Sequence, residues 1–188
     1  MIIIKTKNLL LKETTAHDFE IINEWENDEE IIFYSEENSF EPQTLKETKK
    51  ILGKMLKKDM IHLIITNKKS NQPIGYCMLA CIDKFHRRAK IGITIGSKTE
   101  WGKSYGQEAL VGLLNYAFNK VKLNRITAEV YSFNKRALKM FKRLGFKQEG
   151  KIRANIRKKN IYYDEMILGL LKKEWKNKIN QNSFSFVT

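Results

Sequence analysis

Residues 101–110 read Trp101-Gly102-Lys103-Ser104-Tyr105-Gly106-Gln107-Glu108-Ala109-Leu110. They follow a short apolar run, Ile91-Gly92-Ile93-Thr94-Ile95-Gly96, and lead into a segment with Leu110, Leu113, Leu114, Ala117 and Val121 at helical spacing. Strand, glycine-containing turn and helix start together present a row of backbone N–H groups. The first of these have no partner inside the helix. The helix dipole adds partial positive charge at the same end, so the turn is suited to an anion. Gly102 and Gly106 carry no Cβ and let the backbone approach a ligand closely. Lys103 adds a mobile positive charge. The stretch reads as a pyrophosphate cradle. An ordinary strand–helix connection has the same local pattern, so the flanking segments must decide.

Upstream, residues 8–13 read as a first strand, and Thr15-Ala16-His17-Asp18 as a capping box. A helix follows through Phe19, Ile22 and Trp25 and ends near Asn27-Asp28. Residues 29–41 have no clear period and read as a loop with a short helical piece. Pro42 suits the first turn of another helix, running to Lys58 with Leu45, Thr48, Ile51, Leu52 and Met55 inward. Segments 62–66, 73–83 and 89–96 read as an antiparallel meander joined by the polar turns 68–72 and 85–88. Downstream of the cradle, 125–131 alternates as a strand. Residues 134–143 form a helix with Ala137, Met140, Phe141 and Leu144 inward, and Gly145 ends it. Segments 146–157 and 161–170 form a hairpin around Lys158-Lys159-Asn160.

The length of 188 residues and the hydrophobic share of 42% suit one α/β domain with a proper core. The boundaries read as 1–175 for the domain and 176–188 for a polar, flexible tail. No apolar run is long enough for a membrane span. The first residues lack the flanks of a secretory signal, so a cytoplasmic location is expected. Cys77 and Cys81 lie four apart on a strand and therefore share a face. With no further cysteine to complete a soft metal site, both are expected as buried free thiols and no metal is expected. The net charge of +14 favours anionic partners, but the lysines are scattered along the chain rather than gathered in one tract.

The order strand, two helices, three strands, helix, strand, helix, two strands resembles that of the GNAT (Gcn5-related) N-acetyltransferases. Glu100 to Ala109 resembles the cofactor loop of that family, especially its WGKGYGTEA form. Asn134-x-x-Ala137, continuing to Leu144-Gly145-Phe146, resembles the second cofactor motif. Glu149-Gly150, Arg153, Tyr163 and Asp164 resemble the C-terminal hairpin of the ribosomal-protein (RimJ/RimL-like) branch. Thr6, Leu9, Leu11, Asp18 and Trp25-Glu26-Asn27-Asp28 resemble its opening. The likeness covers nearly all of residues 6–175. It implies a mixed, mostly antiparallel sheet of about seven strands, splayed between the fourth and fifth and flanked by four helices.

The resemblance also implies acetyl-CoA as donor and an amine as acceptor. The pantetheine arm would pair with the backbone of Ile93, Thr94 and Ile95 like an added strand. The pyrophosphate would sit on the N–H groups of Trp101, Gly102, Lys103, Ser104, Tyr105, Gly106 and Gln107. Asn134 would contact the cofactor, or cap the helix that follows it. Ser104 stands where the family usually has glycine. As a plain helix start, serine is a good N-cap there and costs nothing.

Many enzymes of the family place a tyrosine proton donor at the position of Phe141, which has no proton to give. The remaining catalytic candidates are Tyr131 and Ser132 at the end of the strand beside the slot, with Glu129 on the face of Tyr131 as a base. A solvent-facing strand residue is the competing reading of Glu129. Glu36 and Glu37 resemble acceptor-side acidic residues of some polyamine acetyltransferases of this fold; a solvated acidic loop is their competing reading. A thiolate is a tolerable leaving group, so placement alone can carry much of the rate. A protein N-terminus, a ribosomal protein, a polyamine, an aminoglycoside and an amino sugar all fit as acceptor. The alternative is a binding module without chemistry, GNAT-like or basic and nucleic-acid-binding. Against the latter, Tyr116, Phe118, Phe141 and Phe146 sit at core spacing rather than as a stacking face. A homodimer is common in the fold, and the sequence neither supports nor excludes it.

Overall fold

The computed structural model of the chain describes residues 2–35, 42–56 and 60–181. Among them, eight strands form one sheet: β1 (Ile3–Lys5), β2 (Leu9–Glu13), β3 (Ile61–Asn67), β4 (Gln72–Asp83), β5 (Arg88–Thr94), β6 (Arg125–Tyr131), β7 (Lys147–Lys158) and β8 (Ile161–Leu171). Their order is β1-β2-β3-β4-β5-β6-β8-β7. Six helices accompany them: α1 (Phe19–Glu26), α2 (Glu29–Ser35), α3 (Leu45–Met55), α4 (Tyr105–Asn119), α5 (Lys135–Arg143) and α6 (Lys172–Gln181).

The sheet is covered on both faces, which is why β3 is buried from His62 through Asn67 instead of alternating. One face packs Leu63, Ile65, Cys77 and Leu79 against α4, α5 and Trp175 of α6. The other packs Ile64 and Tyr76 against Phe19, Ile22, Trp25, Ile31 and Leu52 of the first three helices. Of the aromatics at core spacing, Phe118, Phe141 and Phe146 are buried and Tyr116 is half-buried.

All neighbouring strands pair antiparallel except β5 and β6. Those two run parallel and meet only at Arg88–Arg125, Ala89–Ile126 and Lys90–Thr127. Beyond Lys90 they part, and the sheet opens as a V. This is the expected splay, between the fourth and fifth strands counted from β2. The expected count of seven strands omitted β1, whose three residues are too short to show a period.

Local chemistry explains the other departures. The expected box forms at Thr15–Asp18, where the Thr15 N–H donates to the Asp18 carboxylate at 2.7 Å. A second box moves the start of α3 past Pro42: Thr44 N–H donates to Glu47 Oε2 at 2.8 Å, and the helix begins at Leu45. Ile51, expected inward, is 42% exposed. Residues 29–35, expected as loop with a short helical piece, form α2. The expected flexible tail is helical as far as Gln181, because Trp175 seats α6 in the core and donates from Nε1 to Asn115 at 2.8 Å. Cys77 and Cys81 do not share a face: a bulge between Ala80 and Asp83, with Cys81 at φ 53°, turns Cys81 outward while Cys77 stays buried. No helix among the described residues is long and apolar enough to cross a membrane.

Candidate active site

The V between β5 and β6 holds two clefts that meet. Where β5 ends, the chain passes Ile95 and Gly96, makes a short helical turn at Lys98–Glu100, and reaches the glycine loop. Trp101 anchors that loop: its indole Nε1 donates to the carbonyl of Ile95 at 2.7 Å, and its ring packs on the Phe19–Trp25 cluster. The chain then turns left-handed twice, at Gly102 (φ 81°) and Ser104 (φ 64°), before α4 begins. Ser104 is the N-cap of α4 but makes no side-chain cap hydrogen bond. The expectation of a cost-free serine cap is therefore corrected. Ser104 occupies the conformation that glycine adopts without strain.

Glu108, in the first turn of α4, ties the helix to the β1–β2 turn. It accepts from Thr6 Oγ1 at 2.6 Å, Asn8 N at 2.6 Å and Asn8 Nδ2 at 2.9 Å. Burial pushes its carboxyl up, but the bonds from Thr6 and Asn8 outweigh this and hold it below the usual range.

The outer cleft, about 280 Å³, runs between this loop and α5. Ile93, Thr94, Ile95, Trp101, Gly102, Ser104, Tyr105, Gly106 and Gln107 line one side; Asn134, Arg136, Ala137, Lys139, Met140 and Arg143 line the other. Lys103 is not on its wall, and its Nζ lies 3.2 Å from Glu100. A β-carbon at Gly106 meets Ile95 and Met140 at 3.6 Å and Ile93 at 3.7 Å, so it projects into the cleft without a clash. Asn134 caps α5, its Oδ1 accepting from Ala137 N at 3.0 Å, and its Nδ2 donates to the carbonyl of Tyr34 at 3.3 Å. It therefore joins α2 to α5 across the slot.

The inner cleft, about 300 Å³, shares Tyr34, Ile93, Thr94, Asn134 and Ala137 with the outer one. Tyr76, Met78, Lys90, Glu129, Tyr131, Phe141 and Glu165 also line it. Tyr131 is buried and stands directly across from Glu165 in the β6–β8 register. Glu129 Oε1 is held by Lys90 Nζ at 2.6 Å, and this bond to Glu129 raises the Lys90 pKa above its ordinary value. Ser132 does not line either cleft; its backbone N–H donates to the Asp164 carbonyl at 2.8 Å. The Asp164 carboxylate accepts from Ala154 N at 3.0 Å, so this residue fastens β7 and the end of β6 to β8. Phe141 is buried edge-on against Phe146, ring centroids 5.1 Å apart. Glu36 and Glu37 lie outside the described residues.

Sequence reasoning missed several residues of these walls. Glu165 and Lys90 lie on strands that were identified, but a strand pattern does not say which faces meet across a splay. Tyr76 donates from its hydroxyl to Glu26, within the Trp25-Glu26-Asn27-Asp28 segment singled out earlier. Arg136, Lys139 and Arg143 were legible as a helical row of spacing three and four. The guanidinium of Arg136 lies 4.6 Å from the ring centroid of Trp101. Among the described residues no cluster of His, Cys, Asp or Glu is placed to hold a metal ion.

A model of the acetyltransferase (GNAT) domain family matches residues 8–147, and the chain belongs to that family. It is similar to the uncharacterized N-acetyltransferase p20 of Bacillus licheniformis, 29% identical over 172 residues, 90% of this chain and 96% of that protein. It is also similar to the uncharacterized N-acetyltransferase YoaA of Bacillus subtilis (strain 168), 27% identical over 90% of this chain and 97% of that protein. Among solved structures, the spermidine N-acetyltransferase from Vibrio cholerae in complex with CoA and spermine superimposes with a TM-score of 0.83 at 21% identity, over 90% of this chain and 99% of that one. The fold is thus shared, and the chain is an acyltransferase that moves acetyl groups.

Proposed function

We propose that this acetyltransferase takes its acetyl group from acetyl-CoA and passes it to a primary amine by direct attack on the thioester. The observation that carries the reading is the junction of the two clefts at Ile93, Thr94 and Asn134, where β5 and β6 part. A long thin donor threaded through the outer cleft delivers its reactive end there, beside the tyrosine and carboxylates of the inner one. Acetyl-CoA fits the outer walls. The α4 N-terminus offers N–H groups to a pyrophosphate, and Gly106 leaves open the space that a side chain would fill.

Each residue then has a task. Ile93, Thr94 and Ile95 present the unpaired edge of β5 to the donor arm, and Trp101 holds the Ile95 carbonyl in place. Tyr131 gives a hydrogen bond to the departing sulfur. Glu129, positioned by Lys90, takes the proton that the acceptor amine loses, directly or through water. Ser132 supports the end of β6 through its backbone bond to Asp164. Glu36 and Glu37, directly after Ser35 of α2, attract a cationic amine. The same reading takes residues 1–175 as the catalytic unit and the cytoplasm as its place of work. The V. cholerae neighbour bound to CoA and spermine makes polyamines the first acceptors to try.

The test is thermal melting with and without acetyl-CoA, followed by thiol release on a panel of spermidine, aminoglycosides, amino sugars and peptides with free N-termini. A donor at about a hundred times its Kd stabilises by about 2.7 kcal/mol, a rise of a few degrees for a chain of this size. Absence of any rise would end the acetyl-CoA reading.

A further inference from the structure

The closed end of the V, away from both clefts, gathers cations from three separate turns. The β4–β5 turn, the α4–β6 loop and the start of α6 are joined through the backbone. The Arg87 carbonyl accepts from Asn124 N at 2.6 Å and Arg125 N at 3.2 Å, and the Asn124 carbonyl accepts from Lys172 N at 2.9 Å. This brings Lys176, Lys122 and Arg87 within electrostatic reach of Lys172. Desolvation first, then those three charges, push the Lys172 ammonium below its ordinary pKa. Lys172 also opens α6, where the helix dipole disfavours a cation. The carboxylates of this end are engaged elsewhere: Asp83 holds His86 at 2.8 Å and Arg88 at 3.3 Å, Glu149 holds Arg125, and Glu174 holds Lys147 at 2.7 Å. None of the four crowded cations forms an ion pair with a described residue. Such crowding costs the fold stability and suits a ligand that brings the opposite charge. The scattered lysines of the sequence are thus concentrated by the fold at one end of the sheet.

The turn that supplies Arg87 also carries Phe85 into solvent. At 89% exposure, Phe85 is the most exposed large apolar side chain among the described residues. Asp83 fixes the turn: its Oδ1 accepts from the His86 backbone N–H and its Oδ2 pairs with His86 Nδ1, both at 2.8 Å. The Phe85 ring stands edge-on to the His86 ring, centroids 4.9 Å apart. The interior aromatics leave no stacking face, but this ring is free to take one. Cations for a phosphate backbone beside a bare ring for a base are the two parts of a single-strand binding surface. A bilayer would bury only one ring here, a small apolar area. Along β6, from Arg125 to Tyr131, this end lies about 20 Å from the reaction chamber.

We infer that Phe85, Arg87, Lys122, Lys172 and Lys176 form a docking surface for single-stranded nucleic acid, separate from the two clefts. It does not depend on the identity of the acetyl donor or acceptor.

Fluorescence anisotropy of the purified protein with a labelled oligouridylate of about twelve nucleotides tests it, over a range of salt concentrations. Affinity should fall with salt by about 0.7 log units per log unit of salt for each phosphate neutralised. Lys172→Gln/Lys176→Gln should make that slope shallower by about 1.4, the share of two contacts. Phe85→Ala should weaken binding about fivefold or more and leave the slope unchanged. Two control pairs remove the same charge elsewhere: Lys46→Gln/Lys49→Gln on α3 and Lys139→Gln/Arg143→Gln in the outer cleft. Both should keep the wild-type slope. Absence of binding, or a slope changed equally by either control, would overturn the surface. A shallower slope with no effect of Phe85→Ala would reduce it to a plain polyanion patch and overturn the single-strand assignment. Binding to anionic phospholipid vesicles but not to the oligonucleotide would overturn it in favour of a membrane surface.

Discussion

Gly96 lies flat against the indole of Trp25. A β-carbon at Gly96 would overlap Cδ2 and Cγ of that ring and stand 2.5 Å from Cε2. Trp25 is buried and its ring centroid lies 6.5 Å from that of Tyr76, so it has no room to retreat. Gly96→Ala should therefore destabilise by about 2 kcal/mol, within the usual range for overpacking. A melting curve showing an unchanged Tm would mean that α1 slides freely on the sheet.

The left-handed Ser104 leads to the opposite expectation. An L-residue pays about 1–2 kcal/mol for this conformation, and glycine returns part of that as unfolded-state entropy. Ser104→Gly should raise stability by about 0.5–1 kcal/mol, read as a higher urea midpoint with the same slope. Lower stability would show that the serine hydroxyl holds the loop.

Gly106 separates folding from binding. Its β-carbon direction is open, and an acidic residue in the first turn of a helix is favourable. Gly106→Asp should keep Tm or raise it while weakening acetyl-CoA by about a hundredfold, through charge repulsion and a filled cradle. Unchanged donor affinity in calorimetry would remove the 101–107 loop from the donor site.

For Tyr131→Phe, the expectation is a kcat lowered at least about tenfold, at the modest end of proton-transfer catalysis, with an unchanged KM for the donor. If kcat against pH were the same for both proteins, Tyr131 would have no part in the departure of the thiolate.

His62 makes stability depend on pH. It is buried, with Nδ1 2.8 Å from Thr14 Oγ1, and burial holds its pKa down to about 4 from an ordinary 6.5, with Asp18 opposing. The unfolded chain thus binds a proton at higher pH than the folded one does. As pH falls from about 6.5 to about 4, His62 should remove up to about 3 kcal/mol, and little more below that. Melting His62→Gln over the same range should show a flatter profile. Parallel profiles would place the acid sensitivity elsewhere.

Much of this arrangement was legible before any coordinates. The 3.6-residue period of α4, the alternation in β6 and the N-cap at Asn134 are local patterns, and local patterns survive into the fold. What escaped has physical reasons. β1 is too short to carry a period. The bulge at Cys81 depends on the pairing of β4 with β5, and a one-residue slip reverses a face. The backbone angle of Ser104 depends on Trp101 pinning the loop to Ile95 at one end and Glu108 tying α4 to Thr6 and Asn8 at the other. Across the splay, Lys90 and Glu129 meet although they belong to strands that part from each other one residue later.

The short seam between β5 and β6 also sets the order in which the chamber can be completed. Beyond Thr127, β6 has no neighbour on the β5 side and is supported along its whole length by β8, from Arg125–Leu171 to Tyr131–Glu165. Tyr131 and Glu129 therefore depend on a strand that begins at Ile161. A ribosome must release the first 160 residues, including the whole loop that grips a pyrophosphate, before the opposite wall has anything to stand on. A chain cut short before Ile161 keeps one jaw of the slot and lacks the other.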